Sequence, residues 1–145
     1  MNKEIQQEII KQDYEKIQQD IETFLKNQIS QKKADGVIFG LSGGIDSATV
    51  AYLCRKISET KEVLALVMPD SAISPSSETG DALKIIGDIG IDYKLIDINT
   101  IHKRYSNYLE PDELALGNLR ARIRSNIIYY YANLKNLLVL GTSDK

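Results

Sequence analysis

Hydrophobic residues along this chain fall into short continuous runs, separated by stretches in which they recur every three or four positions. The runs cover residues 37–41, 63–68 and 137–140, and residues 93–98 form a further strand-like segment. Runs of this length without alternation predict strands that are covered on both faces. Helical spacing occupies residues 46–57, 78–89 and 113–133, and a short helix is expected before Pro111. This order of elements predicts right-handed crossovers and a parallel sheet.

A separate amphipathic pattern precedes the first strand. Apolar residues recur at helical spacing from residue 4 to residue 30, with Gln, Lys and Glu between them. We therefore expect residues 1–31 to contain one long helix, packed on a core formed by residues 37–145 within a single domain. A helix of this length could also pack on a second subunit.

The composition fits one globular domain with a hydrophobic core. The chain has 145 residues, of which 43% are hydrophobic, and a formal net charge of −2. Because basic and acidic residues are interspersed, the charge pattern indicates neither nucleic-acid binding nor membrane binding. The first residues lack the apolar core of a signal peptide, so we expect a cytoplasmic location.

One cysteine and one histidine limit the available chemistry. Cys54 cannot form an internal disulfide, and its place on the apolar side of a predicted helix favours core packing over catalysis. His102 is predicted to lie at the surface or in an interface rather than to act as a base. A zinc cluster would need more ligands of these two types than the chain contains.

The turn after the first predicted strand has the composition of a phosphate site. It reads Gly40-Leu41-Ser42-Gly43-Gly44-Ile45-Asp46-Ser47. Gly43 and Gly44 can take positive φ and carry no Cβ, so that consecutive N–H groups can point at one anion. The next helix adds its own free N–H groups, and Ser42 and Ser47 add hydroxyls. Asp46 would repel a bare phosphate, and it therefore suggests Mg²⁺.

Two commoner nucleotide motifs do not fit this turn. A Walker A loop needs Gly-Lys-Ser/Thr before its helix, and Ile45 and Asp46 stand between Gly44 and Ser47. A dinucleotide fingerprint needs G-x-G-x-x-G, and the glycines here have another spacing. An ordinary strand-to-helix turn, with Asp46 as the N-cap residue, is the alternative without a ligand.

A polar stripe on the last predicted helix is the second candidate site. Its members share one face of a helical wheel: Asn118, Arg122, Ser125, Asn126, Tyr129 and Asn133. A solvated face would explain the stripe. The choice of Arg, Asn and Tyr over Lys and Glu favours a contact with phosphate, carboxylate or another subunit.

These motifs resemble those of a known protein family. The turn at residues 42–47 resembles the pyrophosphate loop of the ATP pyrophosphatases, which cleave ATP to AMP and pyrophosphate. Residues 116–124, 130–133 and 139–143 are similar to the matching segments of ammonia-dependent NAD synthetases. The resemblance continues in one register from about residue 37 to the end of the chain.

The resemblance implies a fold, a reaction and a set of site residues. The fold is doubly wound α/β, of the Rossmann-like adenine nucleotide alpha-hydrolase type, with sheet order 3-2-1-4 and a crevice between strands one and four. The reaction converts deamido-NAD, ammonia and ATP to NAD, AMP and pyrophosphate, in a homodimer. The resemblance assigns catalytic roles to Ser42, Asp46 and Ser47. Residues 40–47 and Thr142 would bind ATP, Asp46 would ligate Mg²⁺, and Arg122 would bind deamido-NAD.

Two departures from the family pattern modify these expectations. Val67 stands where many bacterial members have an arginine, so the adenine contacts are expected to differ. The family continues beyond the position of Lys145 with a metal-binding glutamate, then a lysine and an aspartate. We therefore expect residues 1–145 to bind ATP weakly, to form little NAD and to self-associate. The alternatives are a GMP synthetase part, a tRNA-modifying enzyme or a nucleotide-binding fragment without turnover.

The last expectation concerns the segment after the second predicted strand. Residues 70–77 are rich in Ser and Pro, and they follow the strand at its carboxyl end. This composition predicts a flexible connection at the end of the sheet where ligands bind in such folds.

Overall fold

A computed structural model of the chain describes residues 13–141. Its elements follow one another in the order α1 (Tyr14–Gln31), β1 (Gly36–Gly40), α2 (Ile45–Leu53), β2 (Glu62–Val67), α3 (Ser76–Ile89), β3 (Asp92–Leu95), α4 (Asn99–Ser106), α5 (Glu113–Lys135) and β4 (Leu137–Val139). No helix within the described residues is both long enough and apolar enough to cross a membrane.

The strands form one parallel sheet in the order β3-β2-β1-β4. β1 lies in the middle, with Val37 opposite Val63 of β2 and Leu138 of β4. Each predicted strand appears within a few residues of its expected position. The doubly wound α/β prediction and its strand order are confirmed.

Two hydrophobic cores cover the two faces of the sheet. Successive β1 residues point to opposite faces, so Val37 and Phe39 belong to one core and Ile38 to the other. The first core receives buried side chains from α1, α2 and α3, including Ile29, Ala51 and Ile86. The second receives Ile123 and Ala132 of α5. Burial on both faces explains why these strands read as continuous apolar runs.

Two helices are shorter than predicted. α1 begins at Tyr14, because the Asp13 carboxylate accepts a hydrogen bond from the Lys16 N–H and caps the helix there. The predicted helical pattern at residues 4–12 lies outside the described residues. α2 ends at Leu53 rather than at residue 57, and the chain then passes through successive turns in which the Ile57 N–H donates to the Cys54 carbonyl.

The segment after β2 forms a hydrogen-bonded turn, and the expected flexibility of this connection stays a prediction. The Asp70 N–H donates to the Ser74 hydroxyl at 3.1 Å, and the Asp70 carbonyl accepts from the Ser74 N–H at 2.7 Å. The Asp97 carboxylate accepts from the Ser71 N–H at 3.1 Å. Polar residues at these positions bond to one another and to the backbone, which fixes the turn.

His102 is buried, so the prediction of a surface or interface position is wrong. Its side chain lies between the end of β2 and α5, and its residue is 7% exposed. The Nδ1 atom is 4.0 Å from Asp70 Oδ2, and Nε2 is 3.3 Å from the Leu116 carbonyl oxygen. Both ring nitrogens therefore face polar groups, which compensates the burial of an imidazole.

Candidate nucleotide site

The glycine-rich turn joins the central strand β1 to α2. Gly43 has φ +87°, whereas Gly44 has φ −75° as the N-cap residue of α2, so only the first of these glycines uses the positive φ that both can take. A Cβ on Gly43 would lie 2.5 Å from the Glu78 carbonyl oxygen, at the start of α3. Both the dihedral angle and the close packing therefore require glycine at residue 43.

The hydroxyl of Ser47 fixes the shape of this turn. It donates to the Gly44 carbonyl at 3.0 Å and accepts from the Ser42 N–H at 3.2 Å. Ser47 is 5% exposed, whereas Ser42 is exposed. The Ser42 hydroxyl lies 3.2 Å from that of Ser47 and accepts from the Gly44 N–H at 3.3 Å. In this arrangement Ser47 holds the turn, and Ser42 presents its hydroxyl at the surface.

The N-terminus of α2 is open to an anion. No side chain caps it, so the first N–H groups of the helix are available together with the positive end of the helix dipole. Asp46 lies in the first turn of α2, not at the N-cap position that an ordinary turn would give it. Its carboxylate is exposed, and within the described residues it makes no hydrogen bond or ion pair.

A cleft of about 340 Å³ adjoins the turn. Its walls are formed by the glycine-rich turn, the end of β2, the start of α3, and α5. The lining residues are Gly40, Leu41, Ser42, Ser47, Leu66, Val67, Met68, Pro69, Ser74, Glu78, Thr79, Arg124 and Ile128. The cleft therefore lies over the carboxyl ends of β1 and β2. The crevice expected between β1 and β4 stays a prediction. α5 packs against both β1 and β4. The predicted ATP contact Thr142 lies outside the described residues.

The structure places Arg124, rather than Arg122, at the cleft. Arg122 lies on the exposed face of α5 with the rest of the polar stripe, and its predicted contact with the dinucleotide stays a prediction. Arg124 is partly buried, and its Nε donates to the Met68 carbonyl at 2.8 Å. Arg120 and Arg124 lie four residues apart among the apolar positions of the helix. Arginine is rarely buried without a partner. Arginines at apolar positions of the helix are therefore the feature of the sequence that could have identified Arg124 as a site residue.

A buried ion pair lies behind the cleft. Arg120 Nε donates to Asp70 Oδ2 at 2.6 Å, and the Ala72 N–H donates to Oδ1 at 3.2 Å. Asp70 is 1% exposed. Burial raises the pKa of Asp70, but the hydrogen bonds from Arg120 and Ala72 and the charge of Arg120 together hold that pKa below its ordinary value. The pair joins the turn after β2 to α5 and was not found from the sequence.

The fold and the turn place this chain among doubly wound α/β proteins with a glycine-rich turn after the central strand. A family profile described as NAD synthase matches residues 17–145. The chain belongs to the NAD synthase family.

Relatives of this chain include both sequences and solved structures. The NH(3)-dependent NAD(+) synthetase of Hyperthermus butylicus is 44% identical over 140 residues, which are 95% of this chain and 51% of the relative. The structure of the NH3-dependent NAD synthetase from Campylobacter jejuni, in complex with the nitrate ion, superposes with a TM-score of 0.85 at 40% identity, over 92% of this chain and 58% of that chain.

A third relative is named as a different synthetase. The structure of NMN synthetase from Francisella tularensis has a TM-score of 0.82 at 30% identity, over 90% of this chain and 54% of that one. This chain spans about half the length of the curated relatives that it matches.

Proposed function

We propose that this chain carries the ATP-binding turn of an ammonia-dependent NAD synthetase. The reaction joins ammonia to the nicotinate carboxylate of deamido-NAD at the expense of ATP, giving NAD, AMP and pyrophosphate. The observation that carries the proposal is the uncapped N-terminus of α2 beside a turn in which Gly43 has positive φ. This geometry presents N–H groups to an anion, as a departing pyrophosphate requires.

The chemistry divides between two steps. A carboxylate oxygen of the dinucleotide attacks the α-phosphorus of ATP, forms an acyl adenylate and expels pyrophosphate. Ammonia then attacks the acyl carbon, AMP leaves with the carboxylate oxygen, and a proton is released. Charge grows on the pyrophosphate in the first step, and the free N–H groups at the N-terminus of α2 and the Ser42 hydroxyl stabilise that charge. Ser47 holds these donors in place through its bonds to Gly44 and Ser42.

No nucleophile of the protein is needed in this scheme. The cysteine of the chain, Cys54, is fully buried, and burial raises the pKa of its thiol to about 12. A group with this pKa is not a thiolate at neutral pH. The predicted core role of Cys54 is confirmed.

Magnesium is part of the proposal, and the donor set at the turn fits it. Within the described residues no cluster of three or more His, Cys, Asp or Glu side chains could hold a metal ion by protein ligands alone. Mg²⁺ in nucleotide sites is commonly held by one or two carboxylates together with substrate phosphates, and the unpaired carboxylate of Asp46 meets this need. When bound there, the ion would neutralise phosphate charge.

The remaining assignments are also proposals. Arg122 binds deamido-NAD, Thr142 binds ATP, and the protein acts as a cytoplasmic homodimer that uses free ammonia. The relatives named as ammonia-dependent synthetases support the choice of nitrogen donor.

Activity of the whole gene product tests the proposed function. With ATP, Mg²⁺, deamido-NAD and ammonium, we expect NAD and AMP to form in equal amounts. Replacing Asp46 by Asn should lower the rate of pyrophosphate release by about 100-fold or more, the scale found for loss of one group that stabilises transition-state charge. Asp88→Asn, an exposed aspartate in α3, is the matched control and should keep the wild-type rate.

Two results would contradict the proposal. Pyrophosphate release by Asp46→Asn at the wild-type rate would exclude Asp46 as a metal ligand. Amidation of the deamido form of NMN in preference to deamido-NAD would assign another substrate, and that compound is included because one relative is named NMN synthetase.

A further inference from the structure

Among the described residues that line the cleft, Arg124 is the one with a basic side chain. Its Nε donates to the Met68 carbonyl at 2.8 Å, which fixes the plane of the guanidinium at the end of β2. Within residues 13–141 the Nη groups have no hydrogen-bond partner, so they keep their donors for another molecule.

The charge of Arg124 is not neutralised by a bonded carboxylate. Burial lowers the pKa of Arg124, and the nearby charge of Asp70 raises it, while arginine stays protonated in either case. In the described part of the chain no carboxylate lies within ion-pair distance of this guanidinium, because Asp70 pairs with Arg120 instead. A partly buried guanidinium with open donors in a cleft is suited to a phosphate or a carboxylate.

Three successive turns of α5 are anchored on the side that leads to the cleft. The Leu116 carbonyl lies against His102, Arg120 donates to Asp70, and Arg124 donates to the Met68 carbonyl. These α5 residues are four positions apart, so they lie along one face of the helix. These contacts hold the Arg124 side chain in one position before a ligand binds, which lowers the loss of side-chain entropy on binding.

We propose that Arg124 binds a phosphate group of the nucleotide, from the wall of the cleft that α5 forms. The inference rests on the proposed function, because it assumes that the cleft takes ATP. Arg124 lines the same cleft as Ser42, which places its charge where the phosphates would lie. Arg122, although two residues away, does not line that cleft.

Binding of ATP, AMP and adenosine by calorimetry tests the role of Arg124. In Arg124→Gln the side-chain amide can still donate to the Met68 carbonyl, but the positive charge is lost. We expect ATP to bind about 10- to 100-fold more weakly, the range for loss of a charged hydrogen bond, with adenosine unchanged. Arg104→Gln, on the exposed face of α4, makes the same substitution away from the cleft and should bind ATP as wild type does.

The three ligands separate the possible outcomes. A loss for AMP as large as that for ATP supports the proposal and assigns the contact to the α-phosphate, whereas a loss for ATP alone supports it and assigns a β- or γ-phosphate. An equal loss for adenosine, or no loss for ATP, overturns the proposal. Failure of the wild-type protein to bind ATP would instead contradict the proposed function itself. Arg124→Lys keeps the charge and should recover part of the ATP affinity, which a purely structural arginine would not show.

Discussion

At the scale of single residues, Gly43 determines the shape of the phosphate turn. Its φ of +87° is costly for any residue with a Cβ, and such an atom would lie 2.5 Å from the Glu78 carbonyl oxygen. Gly43→Ala should therefore lower the free energy of unfolding by about 1–3 kcal/mol, and it should weaken ATP binding as the turn and α3 move apart. Urea denaturation and calorimetry measure the two effects.

Gly87→Ala is the matched control for this substitution. Gly87 lies inside α3, where a Cβ meets no neighbouring atom. Alanine should raise the free energy of unfolding by about 0.5–1 kcal/mol there, because it restricts the unfolded chain and favours helix. If both alanine variants were equally stable, the strain at residue 43 would be absent.

Cys54 allows a direct test of burial. Its pKa of about 12, raised by burial, means that almost no thiolate exists in the folded protein at pH 8. Alkylation of the native protein should be about 1,000-fold slower than alkylation in denaturant, since three pKa units separate 12 from the ordinary value of 9.0. Fast labelling of a protein that melts normally would show that Cys54 is accessible.

The residues of the turn could be predicted from sequence, but some of their roles could not. Glycines and serines in a fixed order identify an anion site, because only backbone N–H groups and short hydroxyls fit so close to a strand end. The sequence does not show that Ser47 bonds inward to Gly44, nor that Arg124 reaches Met68. Both depend on how the turn and α5 pack against β2, and that is a tertiary property.

At the scale of elements, the pattern predicted the existence of the helices and strands better than their ends. Periodicity reports the buried face of a helix, whereas its end depends on a local cap. The Asp13 carboxylate starts α1 at Tyr14, inside a longer apolar pattern. α2 stops at Leu53 although Ile57 is also buried, since turns can bury an apolar side chain as well as a helix can.

The pair of Asp70 and Arg120 links two elements, the turn after β2 and α5. Asp70→Asn leaves Arg120 without its partner, and we expect the free energy of unfolding to fall by about 3 kcal/mol, as when one member of a buried pair is removed. A double-mutant cycle with Arg120→Met isolates the coupling between the two side chains. Coupling indistinguishable from zero would mean that the pair does not hold these elements together.

The pH dependence of the same pair has a definite sign. The pKa of Asp70 is lower in the folded protein than its ordinary value of 3.8, so the unfolded chain binds the proton more readily. The stabilisation is therefore present above pH 3.8 and disappears as the pH falls through the lowered pKa. The difference in unfolding free energy between wild type and Asp70→Asn should shrink as the pH falls from about 5 through the lowered pKa of Asp70. Above that range the charge of the neighbouring His102 also contributes to the difference. A difference that grows below about pH 5 would contradict the lowered pKa.

At the scale of the whole molecule, the topology was predictable, whereas a cleft over the ends of β1 and β2 was not among the expectations. Parallel strands with right-handed crossovers and a central first strand leave few arrangements, and the strand-order prediction was confirmed. The cleft depends on which helix covers which strand end. α5 packs on β1 and β4, while Arg124 and Ile128 extend over the end of β2 to form the cleft wall.

We expect the chain to self-associate through one of two surfaces. Among the described residues β4 pairs only with β1, so its other edge has no partner strand. α1 exposes Phe24, which is 58% accessible, on the helix predicted to contact a second subunit. We expect sedimentation equilibrium to show association that strengthens as the concentration rises from micromolar to millimolar.

Substitutions on α1 decide between these two surfaces. Phe24→Glu replaces the exposed aromatic ring by a charge. If α1 forms the contact, this change should raise the dissociation constant by about 10-fold or more, the scale for loss of a buried aromatic anchor. Gln19→Glu adds the same charge at an exposed polar position on another face of the same helix and is the control. Association unaffected by Phe24→Glu would assign the contact to the edge of β4, because that edge offers backbone groups and needs no side chain. A chain that stays monomeric at every concentration would contradict both, and with them the view that a second subunit covers these surfaces.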